Sequence, residues 1–282
     1  MDFESFAFWV LNTPHLRTHG KGKCSVNTEL QRASMWKRIS AWLFDSILLV
    51  TVAVLFGAIL SSVMGFDGYY RQLDEAYNRY ESQYGIDFQI TQEAYDKLTQ
   101  EEKEQYQATY DQAYEALIAD EEAMYLYDMV INQVMLIMSI GILLAVALME
   151  FVIPLCFGNG QTLGKKIFSI GVMRSDSIKL TTIQLFIRTI LGKYAVEIMV
   201  PVFVLILLFL GAMDVIGLAI LAGLLVGQLI CLLATRERKS IHDLLAGTTV
   251  VDIASQRIFK STQELIDYTK KVHAERAARQ DY

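Results

Sequence analysis

Cysteine is scarce in this 282-residue chain. Its three cysteines, Cys24, Cys156 and Cys231, are too scattered for a disulfide framework. Two lie near or within apolar segments, and Cys24 lies in a basic stretch expected to face a reducing cytosol, so no disulfide is expected. No cleavable leader is expected. FAFWVL at 6–11 is short, follows no basic region and precedes no cleavage site, so the first membrane span is expected to be both signal and anchor. GNGQTLGKK at 158–166 misses the phosphate-loop pattern, because Asn159 stands at the first glycine position and Lys166 at the hydroxyl position. HLRTH at 15–19 with Cys24 offers three ligating side chains but no fourth at a metal spacing. Nothing supplies a nucleophile beside His242, so no enzyme is expected, and no cofactor. Basic residues track the membrane face rather than a domain of their own, which excludes a nucleic-acid partner.

Apolar blocks are abundant. Apolar residues make up 53% of the chain and the mean hydropathy is +0.32, which points to a membrane protein in contact with a lipid bilayer. One block covers 39–64 and is interrupted by Asp45. A second runs from Met129 to Phe157 and is interrupted by Glu150. A third, Tyr194 to Ala234, carries Glu197 near its start and Asp214 in its middle. A helix crosses the hydrocarbon core with about 20 residues, so the third block holds two spans that turn within LFLGAMDVIG at 208–217. The expected fold is all-α: a polytopic bundle of four transmembrane helices with a helical hairpin inserted outside the membrane.

Charge orients the bundle. Residues 66–128 carry sixteen acids against four bases, a balance of −12 in a chain of net −6. Bases gather before the first span (Arg17, Lys21, Lys23, Arg32, Lys37, Arg38). They gather again between spans two and three (Lys165, Lys166, Arg174, Lys179, Arg188, Lys193) and after span four (Arg236, Arg238, Lys239). Four spans place all three clusters on one side, which the lysine and arginine bias makes the cytosol. Both termini are then cytosolic and residues 66–127 extracytoplasmic. The organisation follows: 1–37 a basic N-terminal segment, 38–65 with 128–252 a membrane domain, 66–127 an acidic hairpin and 253–282 a charged helical tail.

The outer segment holds eleven of the fourteen tyrosines and no proline. YYRQLDEAYNRYESQYG at 69–85 has tyrosines at helical spacing and a glycine stop. TQEE at 99–102 is a capping box, expected to open a long helix that continues into span two. TQEAYDKL at 91–98 fits a short helix between the arms. The acids either gather cations or a basic partner, or simply solvate the hairpin. At the ends, FAFWVL could anchor in the interface, and STQE at 261–264 caps a charged tail helix.

Asp45 lies seven residues into span one, roughly 10 Å deep at 1.5 Å per residue. Glu150 lies eight residues from the end of span two, roughly 12 Å deep. Gln228 in span four falls near that layer, and Glu197 is shallower. Carboxylates inside a membrane face a bundle interior or a wet cavity. Two at one depth could share a cation or a proton, or form a polar lock between helices. Arg38 is on nearly the same helical face as Asp45. Residues 180–194 fit a helix lying in the interface before span three, and Lys165 and Lys166 can meet anionic headgroups.

These residues resemble the RDD family of membrane proteins, named for an arginine and two aspartates. Arg38 and Asp45 resemble its opening signature, and GQTLGKKIFSIGVM at 160–173 its loop after span two. LTTIQLFIRTI at 180–190, with Arg188, is similar to the segment that follows. RKSIHDLLAGTTVV at 238–251 resembles the closing motif, which makes Asp243 the second aspartate. The resemblance covers 32–64 and 129–252. It implies a compact bundle in the inner membrane of a bacterium or archaeon, of a kind usually described as a transporter, with some members linked to sodium–proton exchange. Arg38 and Asp243 are expected to meet, with Arg188, a water or a bound cation left for Asp45. The functional expectation is movement of a monovalent cation coupled to protons, by a homo-oligomer because four spans are few. The alternative is a non-transporting accessory subunit that binds another membrane protein.

Overall fold

In the computed structural model, residues 33–235 and 237–280 are described. FAFWVL, HLRTH with Cys24, and Arg17, Lys21, Lys23, Arg32 and Arg236 lie outside the described residues.

Among the described residues, four helices are long and apolar enough to cross a membrane: α1 (Met35–Met64), α5 (Glu121–Phe157), α7 (Thr182–Phe209) and α8 (Val215–Ala234). α1 packs along α5, and α7 along α8. α1 ends where Gly65 takes a left-handed φ of 68° and its N–H bonds back to the Ser61 and Ser62 carbonyls. α7 ends just before Gly211 and α8 begins at Val215, so the reversal falls inside the expected 208–217 stretch.

Between α1 and α5 stand α2 (Phe66–Tyr84), α3 (Gln92–Asp96) and α4 (Gln100–Ala119). Thr91 caps α3, and the Thr99–Glu102 capping box opens α4. Tyr77, Phe88 and Tyr110 meet edge to face between the arms, with centroids 5.7 and 5.5 Å apart. Tyr70, Tyr114 and Tyr125 stay exposed, so only part of the tyrosine set is packed. The expected continuous helix into span two is broken at Asp120. Its extended backbone ends α4, and its carboxylate accepts from the N–H groups of Glu122 and Ala123 to start α5. Span two therefore belongs to a helix that starts at Glu121, ahead of the expected boundary at 128.

The all-helical expectation needs a correction. β1 (Ile170–Arg174) pairs antiparallel with β2 (Thr248–Asp252), with Val172 opposite Val250. Each run is only five residues, too short for its periodicity to stand out. The pairing ties α6 (Leu163–Ile167) and the loop after span two to α9 (Ile241–Ala246), the short helix after span four. Ile170, Val172 and Val250 bury against Ala33 and Ala41, so the strand pair also clamps the start of α1.

The separate interfacial helix expected over 180–194 is not formed. The Thr181–Gln184 capping box starts α7, which runs without a break into span three. Within it, Ile187–Met199 widens into π-helical turns, as Ala147–Val152 does in α5. The chain forms two units: residues 31–260 are one, and the other contains α10 (Thr262–Gln280). Within α10, Ser261 Oγ accepts from the Glu264 N–H at 3.2 Å.

Candidate functional site

Helix directions bring the start of α1, the end of α5, the start of α7 and the end of α8 to one end of the bundle, opposite the α2–α4 hairpin. The strand pair and α9 lie at that same end. Asp45, Glu150, Arg188 and Asp243 are all nearly inaccessible there, between 1% and 5% exposed. An unpaired buried charge is costly, so the partners of each decide what the site can do.

Asp243 is the hub. Arg188 donates to it from Nε at 3.0 Å, Ser240 Oγ at 2.8 Å and Thr248 Oγ1 at 2.9 Å. Arg38 Nη2 stands 3.7 Å away, so the two expected signature residues meet. Burial favours the neutral acid, but Arg188 and then Arg38, with the Ser240 hydrogen bond, outweigh it. Together they hold the carboxyl well below the usual carboxylate range. The same side chain completes the Ser240 capping box of α9.

His242 joins this hub to Glu197. Its Nδ1 lies 2.7 Å from Glu197 Oε2 and its backbone N–H donates to Oε1 at 3.1 Å. Nε2 is 3.0 Å from Arg188 Nη2 and 2.9 Å from Ser240 Oγ. Because Arg188 can only donate, Nε2 is the acceptor and the ring proton sits on Nδ1 facing Glu197. A serine, a histidine and an acid thus do line up, an alignment that the spacing of residues 197, 240 and 242 did not reveal. Ser240 Oγ is also bonded to Asp243, and a guanidinium occupies the ring nitrogen that would have to take its proton. Such an arrangement suits a clamp better than a nucleophile. Close approach makes it possible: a Cβ on Gly192 would lie 2.6 Å from the His242 Cβ.

Glu150 and Asp45 reach the same end but do not share a partner. Glu150, on the π segment of α5, receives Lys193 from the π segment of α7 and lies 3.7 Å from Lys165. Its own carbonyl accepts from Thr189 Oγ1 at 3.0 Å. Asp45 instead accepts from Thr162 Oγ1 and, at 2.8 Å, from the Gly164 N–H. Arg188, expected as a partner of Asp45, is committed to Asp243. Gln228 Oε1 accepts from the Ile241 N–H at 3.2 Å and so tethers α8 to α9. Lys165 turns inward rather than toward headgroups, while Lys166 is exposed and lies over the Phe157 ring. Burial pushes the Lys165 ammonium down to about 8, against the pull of Glu150.

Thr162, Gly164, Lys165, Lys193, Ser240 and Thr248 complete the network and were not identified as site residues from sequence. Thr162 and Ser240 are legible as helix caps, but their carboxylate partners lie too far away in sequence for local pattern to identify. Asp45, Glu150, Gln228, Glu197 and His242 all border one cavity of about 690 Å³ between α1 and α8.

No curated protein and no solved structure gives a significant match to the chain. The RDD family model matches residues 32–247, which takes in Arg38, Asp45 and Asp243. This is a multi-pass membrane protein, and the chain belongs to the RDD family.

Proposed function

We propose that the protein carries a small monovalent cation in exchange for protons, with Asp45 as the group that binds one or the other. The carrying observation is the difference between Asp45 and its neighbours. Glu150 and Asp243 are neutralised by lysine and arginine, and Glu197 is held by the backbone N–H and Nδ1 of His242. Asp45 borders the cavity with a hydroxyl and a peptide N–H as its partners, and among the described residues no base is in salt-bridge contact with it. An ionised carboxylate in an apolar span costs about 2.5–3.5 kcal/mol on insertion scales. A proton or a cation relieves that cost, and exchange between the two is the coupling a carrier needs. Glu150 is a poor second ligand, since a bound cation would have to displace an ammonium. Arg38, Arg188 and Asp243 hold the helix ends around the site, and we read the Ser240–His242–Glu197 row as part of that frame rather than as an enzyme. Oligomerisation would complete a pathway that four spans alone line sparsely.

The test is cation-driven proton movement in proteoliposomes with a trapped pH dye. Wild type is expected to respond to a sodium or potassium gradient, and Asp45→Asn with an unchanged melting temperature is expected to lose the response. Flux that survives in Asp45→Asn overturns the assignment. No flux in wild type for either cation favours an accessory subunit that acts through a protein partner.

A further inference from the structure

The cavity beside Asp45 has an apolar end and a charged end, and their hydrogen-bonding capacity is unequal. At about 690 Å³ it is of ligand size. Trp42 of α1 and Leu221, Leu224 and Leu225 of α8 line its apolar end. Trp42 and Leu225 are 61% and 73% exposed, so the cleft between these two helices opens sideways to where lipid chains lie.

At the charged end, Asp45 apart, the acids are spent: Glu150, Glu197 and Asp243 are held by Lys193, His242 and Arg188. Two of the bases are not. The Lys165 side chain is 13% exposed and its ammonium meets Glu150 only at 3.7 Å. It makes no hydrogen bond among the described residues. Arg38 gives one hydrogen bond, to the Arg238 carbonyl at 2.8 Å, and stands off Asp243 at 3.7 Å. Apart from Asp45, the unspent groups facing the cavity are N–H donors on cations, which an oxyanion satisfies and a cation does not. The lowered proton affinity of Lys165 agrees with an ammonium that is under-compensated.

We propose that this cavity is a lipid site, taking the phosphate of a phospholipid with a net negative headgroup against Lys165 and Arg38 with an acyl chain lying between α1 and α8. The sideways opening and the leucine wall favour a lipid-borne phosphate over a free ion. The site is independent of ion movement through Asp45: an Asp45→Asn protein that loses flux and keeps its lipid leaves it standing.

The experiment is native mass spectrometry of the delipidated full chain in detergent, titrated with phosphatidylglycerol, with phosphatidylcholine of the same chains, and with inorganic phosphate. One phosphatidylglycerol is expected to bind in preference to phosphatidylcholine. Lys165→Gln, which leaves Glu150 its closer partner Lys193, should weaken binding about fivefold to tenfold. Leu224→Trp, which fills the apolar end and touches no charge, should weaken it by a similar factor and keeps the test open if Lys165→Gln does not fold. Equal binding of the two lipids overturns the proposal, as does binding that both substitutions leave unchanged. Inorganic phosphate that competes as well as the lipid shows an ion site and overturns it too.

Discussion

The two polar regions of this molecule use similar residues in opposite ways. In the α2–α4 hairpin, most side-chain bonds are short in sequence: Gln92 to Asp96, Lys97 to Glu93, Thr99 to Glu102 and Gln107 to Asp111 are all three or four residues apart and exposed. Arg79 and Tyr80 to Asp120 are exceptions. At the other end of the bundle the partners are distant and buried. Asp45 and Gly164 are 119 residues apart, Arg188 and Asp243 55, and Glu150 and Lys193 43. Local exposed pairs contribute tenths of a kcal/mol. Removing one partner of a buried pair strands the other charge and costs several. A charge in the hairpin is chiefly solvation, whereas a charge in the polar layer decides which helix meets which.

The largest expected effect tests that contrast directly. Asp243→Ala leaves the buried Arg188 without its carboxylate and is expected to cost about 3–5 kcal/mol, seen as a collapse of melting temperature or yield in detergent. Acid should do the same by degrees. The Asp243 carboxyl is held below its unfolded value, so its contribution is fully present above about pH 4. It is lost as the pH falls toward the lower folded value, because the unfolded state then binds the extra proton. A melting series from pH 7 to pH 2 should show the Asp243 contribution unchanged down to about pH 4 and falling below it in wild type, and less so in Asp243→Asn. A mild effect in both experiments would place the Asp243 hub with the hairpin pairs and remove the contrast.

Gly164→Ala sharpens the comparison within the polar layer. A Cβ there would lie 2.5 Å from the Ala41 carbonyl oxygen and 3.0 Å from the Asp45 carboxyl carbon, so the Thr162–Gly164 donors must move off Asp45. Overpacking of this kind costs about 1–3 kcal/mol, and flux should fall with stability if Asp45 needs those donors in place. Hydrogen exchange over 158–170 would locate the shift. Thr99→Ala is the smallest of the three. It removes the cap of α4 for about 1 kcal/mol of local helix stability, visible as faster exchange in the first turn of α4 with global melting and flux unchanged. Lost flux would show that the hairpin takes part in transport.

Much of the scaffold was legible. Long apolar runs and the glycine-bearing turn at 208–217 placed the four spans, because a membrane helix is defined by length and composition alone. Capping residues placed the starts of α4 and α10. The break at Asp120 escaped because an aspartate can both end one helix and cap the next, and α7 escaped because its polar first turns sit beside Asp243 rather than in an interface. The strands escaped because five residues in each of two segments, far apart in the chain, become a sheet only when they meet.

Asp45, Glu150 and Asp243 were visible as charges where charge is expensive, and Arg38 and Asp243 as residues at one end of the bundle. Sequence by itself determined that these groups needed partners and roughly at what depth. Tertiary structure alone decided the pairing, giving lysines to Glu150, arginines to Asp243 and only a threonine and a glycine to Asp45. The reason is physical. Hydrophobic length is a property of each segment, while the neutralisation of a buried charge depends on which distant side chains the folded helices bring within about 3 Å.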